Sequence, residues 1–138
     1  QGQLLRKLDM LTPIKDMINN GLPVLATCAG LILLSQVIDS EAEAHLGTLP
    51  VVVKRNAYGR QLSSFRIDSD TEGIGNYPMV FIRAPYIKSA SPDVKVLATV
   101  DDHIVAVRYG NQLGLSFHPE LTSDLRIHKY FIDMVENR

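Results

Sequence analysis

Leu22-Pro23-Val24-Leu25-Ala26-Thr27-Cys28-Ala29-Gly30-Leu31-Ile32-Leu33-Leu34 is the stretch on which the reading of this chain turns. An apolar run of strand length enters Cys28, and an apolar run with helical potential leaves it. That outline predicts a nucleophile held on a sharp strand-to-helix turn at the carboxyl end of a sheet. The N-terminus of the following helix would point at the sulfur, and its dipole would favour thiolate over thiol. Ala26, Thr27, Ala29 and Gly30 leave room for the tight backbone and for a substrate. Taken alone, Cys28 reads more readily as a small core residue, because free cysteine is among the most buried types.

A second segment changes the balance. Ser116-Phe117-His118-Pro119-Glu120-Leu121-Thr122 follows another strand-like run, Leu113-Gly114-Leu115. A cysteine nucleophile acting on an amide needs a base for its proton and a third group to fix that base's tautomer. His118 and Glu120 are two positions apart, so on extended backbone both side chains leave by one face. Pro119 stiffens the segment by fixing its own φ and restricting His118. Each of these residues has a plain alternative, a loop histidine and a charge near a helix start. The combination with Cys28 favours a triad assembled across neighbouring strand ends.

Around these two segments the chain reads as helix, strand, helix, several strands, helix. Residues 4–20 look helical, with Thr12-Pro13 restarting the helix and Gly21 stopping it. Residues 22–26 form a buried strand, and residues 29 to about 37 an apolar, sandwiched helix. Residues 39–45 are an acidic, polar loop. Short β-rich runs follow at 51–53, 63–67, 79–82, 94–98 and 104–107, punctuated by glycine, proline and aspartate. Residues 97–109 read as a hairpin turning at Asp101-Asp102-His103. A last helix is capped by Thr122 or Ser123 and buries Ile127, Tyr130, Phe131, Met134 and Val135. The class expected is α/β, a three-layer fold whose sheet is mainly parallel with an antiparallel extension.

Composition narrows the function classes. The 138 residues are 46% hydrophobic and 21% charged with net charge −1, which fits one globular domain and gives no footprint for nucleic acid. No apolar run approaches the roughly 18 residues of a membrane span, and no signal-peptide pattern is visible. One cysteine suits a reducing, cytoplasmic setting. His45, His103, His118 and His128 are scattered without zinc-ligand spacing, so no metal is expected. His45 and His103 sit beside acidic residues and read as solvated, and His128 reads as a surface position on the last helix.

Ala26-Thr27-Cys28-Ala29-Gly30-Leu31 resembles the nucleophile elbow of class I, triad-type glutamine amidotransferases, and Ser116-Phe117-His118-Pro119-Glu120 resembles that superfamily's His-x-Glu element. Three further segments resemble the glutaminase subunits of pyridoxal 5′-phosphate synthases. They are Arg55-Asn56-Ala57-Tyr58-Gly59-Arg60-Gln61, Phe81-Ile82-Arg83-Ala84-Pro85-Tyr86-Ile87 and Phe117-His118-Pro119-Glu120-Leu121-Thr122. With the elbow they cover the chain nearly end to end.

The resemblance implies a flavodoxin-like fold and a set of roles. Cys28 attacks the side-chain amide of L-glutamine, His118 serves as base and then acid, and Glu120 orients the imidazole. A glutamyl thioester forms and is hydrolysed, and the ammonia passes to a synthase subunit that makes pyridoxal phosphate. Glutamine is held by Arg55, Ile82 and Arg83, with the Ala29 N–H as one oxyanion donor and no cofactor. Read alone, Arg55 and Arg60 are more readily solvated strand-end charges, and Arg83 a cap on a sheet edge. Family members also carry an N-terminal βα unit and a Gly-Gly-Glu-Ser-type oxyanion segment, whereas Gln1-Gly2-Gln3-Leu4-Leu5-Arg6 resembles the helix after it. The expectation is therefore a single glutaminase domain over 1–138 lacking its N-terminal βα portion, with little activity until that portion is restored. The alternatives are a DJ-1/PfpI-like cysteine hydrolase and a truncated, non-catalytic partner-binding domain.

Overall fold

The computed structural model describes residues 11–38, 46–54 and 64–137. Helix α1 (Leu11–Asn19) ends as its sequence predicts. Gly21, at φ +104°, donates to the Ile18 carbonyl and Leu22 donates to that of Met17. This is a Schellman closure, in which only glycine takes the left-handed position without penalty. Strand β1 (Val24–Thr27) follows, and then the short helix α2 (Ala29–Leu34).

Here the expectation of a helix to residue 37 fails. Ser35 adopts extended backbone, and β2 (Ser35–Ile38) pairs in parallel with β3 (Leu49–Lys54). The apolar run is consistent with either structure, and the β-branched Val37 and Ile38 go to the sheet. The acidic loop and His45 lie outside the described residues. Next come β4 (Ser64–Thr71), β5 (Gly75–Ile82), β6 (Tyr86–Ala90), β7 (Lys95–Val100), β8 (His103–Tyr109) and β9 (Gln112–Leu115). A 3₁₀ turn (Pro119–Leu121) and helix α3 (Arg126–Glu136) close the described chain.

The main sheet runs β1-β9-β8-β6-β3-β2, with β7 beside β8, while β4 and β5 form a separate hairpin. The α/β class holds, but the sheet is mixed rather than mainly parallel. Its parallel pairs are β1–β9 and β2–β3; the other described pairings are antiparallel. For β7–β8 and β8–β9 the reason is loop length, since two-residue connections join only antiparallel neighbours. Asp101 and Asp102, at φ +50° and +66°, make such a turn between β7 and β8, and Gly110-Asn111 makes another before β9. His103 is therefore the first residue of β8 rather than a solvated loop position, its ring centroid 4.0 Å from that of Tyr86. Strand β6 had no distinct sequence signal, because only Ile87 among its residues is fully buried.

Alternation along β9 separates two apolar layers on opposite faces of the sheet. Leu113 and Leu115 join Tyr77, Met79, Phe81, Phe117, Ile127 and Met134 beneath α3 and the hairpin. Gly114 faces the layer that holds Leu31, Leu34, Leu49 and Val107 beneath α1 and α2. A Cβ there would lie 2.9 Å from Leu31 Cδ1 and 3.1 Å from Leu49 Cδ2, both on fully buried side chains. Gly114→Ala should destabilise the fold by about 1–3 kcal/mol. A urea midpoint equal to that of the parent would contradict this packing.

The start of α3 corrects the expected cap. Neither Thr122 nor Ser123 serves; the Asp124 carboxylate accepts the Arg126 N–H at 3.1 Å, while the Thr122 hydroxyl accepts the Asp124 N–H. The stripe expected on α3 is used except for Val135, which is only half-buried and lies outside that layer. Ile127 and Met134 are buried, and Tyr130 and Phe131 pack partly buried against the same layer.

Candidate active site

Strand β1 pairs in parallel with β9, Ala26 opposite Gly114 and Thr27 opposite Leu115. The Cys28 N–H extends that ladder by donating to the Leu115 carbonyl at 2.9 Å. The chain then turns sharply into α2, and Cys28 itself sits at φ +52°, ψ −106°. A non-glycine residue held there is strained, and strain of this kind concentrates where a side chain must be presented. The residues at 27 and 29 are small, so the turn closes without a clash. This is the strand–turn–helix outline expected for the elbow.

Two carbonyls of β5 receive the reactive segments. The Cys28 thiol lies 3.8 Å from the Ile82 carbonyl, to which it donates, and the His118 N–H donates to the Val80 carbonyl at 2.8 Å. One strand edge therefore sets both the cysteine and the histidine. Beyond His118, Pro119 opens the 3₁₀ turn, and this brings Glu120 back onto the imidazole. His118 Nδ1 and Glu120 Oε2 are 2.7 Å apart.

Burial pulls the Glu120 carboxyl upward. Its own backbone N–H, the hydrogen bond from His118 and the charges of His118 and His128 together outweigh that pull, so it titrates below the ordinary carboxylate range. An ionised carboxylate only accepts, so the Nδ1 proton belongs to His118 and Nε2 is the ring nitrogen that Glu120 does not engage. Sequence reasoning missed His128. It is half-buried in the first turn of α3 rather than a plain surface residue, and its charge acts on Glu120.

The expected dipole effect on Cys28 is outweighed. Half-burial pushes the thiol up, the Ala29 N–H pulls it down, and the Glu120 charge pushes it up again. The net direction is upward, because α2 is only six residues long and the sulfur is partly desolvated. The resting group is a thiol that needs a base.

Of the residues expected to hold glutamine, Ile82 ends β5 with its carbonyl beside the Cys28 sulfur and Arg83 follows it in sequence, both exposed. Arg83 adopts φ +43°, a second strained residue at the same place. Ala29 opens α2 with its N–H toward the thiol. Arg55, Arg60 and Gln61 lie outside the described residues. Among the described residues, no three His, Cys, Asp or Glu side chains gather to hold a metal ion, and no helix is long and apolar enough to cross a membrane.

The pattern of the SNO glutamine amidotransferase family matches residues 1–137. The chain belongs to the SNO glutamine amidotransferase family. A Desulfitobacterium hafniense protein, "Pyridoxal 5′-phosphate synthase subunit PdxT", is 57% identical to this amidotransferase over 135 residues, which cover 98% of this chain and 68% of that one. A Streptococcus pneumoniae protein of the same name is 55% identical over 137 residues, covering 99% and 71%. A solved structure described as a glutamine amidotransferase superposes on the present amidotransferase with TM-score 0.92 at 41% identity, covering 98% of this chain and 72% of that chain.

Proposed function

We propose that Cys28, His118 and Glu120 are the nucleophile, base and orienting carboxylate of a glutaminase that supplies ammonia for pyridoxal 5′-phosphate synthesis. The observation that carries this reading is the shared seat on β5, with Cys28 against Ile82 and His118 against Val80, and Glu120 locked onto Nδ1 at 2.7 Å. The names of the relatives supply the destination of the ammonia.

In the first step His118 Nε2 takes the thiol proton while sulfur attacks the side-chain carbonyl carbon of glutamine. The Ala29 N–H supports the developing oxyanion. The carbon–nitrogen bond breaks as His118 returns the proton to the departing nitrogen, and ammonia leaves. Water then adds to the glutamyl thioester, giving its proton to His118; the carbon–sulfur bond breaks and the proton returns to sulfur. Glutamate is released. Glu120 stabilises the transient imidazolium in both halves.

Ile82 and Arg83 hold glutamine in this scheme, Ile82 through its main chain, and the Arg55 guanidinium would grip the α-carboxylate with two hydrogen bonds. Residues 1–138 belong to one glutaminase domain, which works alongside a separate synthase subunit. A free-thiol nucleophile works in a reducing compartment, which favours the cytoplasm.

The test supplies glutamine labelled at the amide nitrogen to the protein in its relatives' full length, in the presence of the synthase subunit. Labelled ammonia and glutamate should appear in equal amounts, and a diazoketone analogue of glutamine should add to Cys28 alone. Modification at any other residue, or glutamate formed without labelled ammonia, would overturn the assignment.

A further inference from the structure

Eight residues beyond His118 in the sequence, Arg126 makes a set of contacts that the reaction scheme does not use. Its Nε reaches both Asp124 carboxylate oxygens, at 3.0 and 3.1 Å, and its Nη2 reaches Oδ2 at 2.6 Å. The same guanidinium donates from Nη1 to the Ile74 carbonyl at 3.2 Å and from Nη2 to the Asn76 carbonyl. Its Cζ stands 5.7 Å from the centroid of the Tyr77 ring. Tyr77 is fully buried, and its hydroxyl donates to the Asp124 carbonyl at 3.1 Å.

Asn76 and Tyr77 lie at the start of the hairpin strand β5 and Ile74 in the turn just before it, and the far half of that strand seats His118 and Cys28. The guanidinium therefore ties the chain leaving the catalytic turn to the strand that receives it. The turn over 118–125 is held at both ends by β5, at Val80 by His118 and at 74–77 by Arg126, Asp124 and Tyr77. Only a planar fork satisfies a carboxylate and two carbonyls at once; an ammonium is a point charge.

We propose that Arg126, through Asp124, is a positioning residue that latches the His118–Glu120 turn to β5 in the register needed for proton transfer with Cys28. The proposal rests on the triad reading, and its test separates the two. Misplacing a catalytic group by about 1 Å can slow turnover on the order of 100-fold.

Arg126→Ala, assayed with the synthase subunit present, should lower kcat by about 10- to 100-fold while KM for glutamine moves less than about twofold. Alkylation of Cys28 by iodoacetamide should shift its pH midpoint downward, because a loosened turn withdraws the Glu120 charge from the thiol. Arg126→Lys should restore part of both readouts. Asp124→Asn keeps the volume and should reproduce the Arg126→Ala pattern, so it carries the test if the alanine variant does not fold. An unchanged kcat and alkylation midpoint with a lowered Tm would reduce the latch to a stability element and overturn the proposal. A His118→Asn control fixes the frame. If it is inactive while Arg126→Ala and Asp124→Asn turn over normally, the latch alone fails; if it turns over normally, the triad reading fails and takes the latch with it.

Discussion

Cys28→Ala should reduce glutamine hydrolysis by at least about 10⁴-fold, because no other group in the mechanism can form the thioester. The comparison with Cys28→Gly makes the experiment more informative. Cys28 is held at φ +52°, a backbone state that costs a non-glycine residue on the order of 1–3 kcal/mol. Alanine inherits that strain, whereas glycine relieves it and gives back about 0.5–1 kcal/mol through its freer unfolded chain. Both variants should be inactive, and Cys28→Gly should be the more stable of the two by roughly 1 kcal/mol in urea denaturation. Equal stabilities would mean that the elbow is not strained, and residual turnover by either variant would remove the thiol from the mechanism.

Glu120→Gln should separate two properties that normally move together, turnover and thiol reactivity. The carboxylate holds the Nδ1 proton and supports the imidazolium, so its loss should slow turnover by about 10²- to 10⁴-fold. The same negative charge pushes the Cys28 thiol upward, after burial and against the Ala29 N–H. Removing it should therefore lower the pH midpoint for alkylation by iodoacetamide and speed the reaction near pH 8. The variant is a poorer catalyst with a more reactive sulfur. In the parent protein the Glu120 carboxyl titrates below the ordinary range, so its contact with His118 persists through neutral pH. That contact is lost only as pH falls through the depressed value. Slower alkylation in Glu120→Gln would place the carboxylate's influence on Cys28 with the wrong sign.

The elbow and the His-x-Glu pair were legible in the sequence because each is local. A strand-length run into Cys28 and small neighbours outline the turn locally, but only the two segments together favoured a triad, and Glu120 reaches His118 through a 3₁₀ turn rather than along the extended backbone expected. What was not legible depends on contacts between distant residues. Ser35-Gln36-Val37-Ile38 suits helix or strand equally, and pairing with β3 decides it. The direction of the Cys28 shift depends on how deeply the sulfur sits and on Glu120, far from it in sequence, approaching it in space. Arg126 gave no signal, since an arginine in the first turn of a surface helix ordinarily points to water. Its partners, the carbonyls of Ile74 and Asn76, are backbone atoms that no residue pattern can announce.

The bond from the Asn111 side chain to the Gly21 carbonyl, 90 positions apart in sequence, sits where the strand that enters the nucleophile turn begins. From there the strand lies along β9, Val24 beside Gln112, far downstream in the sequence. During synthesis the cysteine therefore emerges long before the strand that seats it. Closing so large a loop is slow, because its entropic cost comes before any compensating contact forms. A growing chain on the ribosome thus carries an unassembled triad until β9 and the His118–Glu120 turn have emerged.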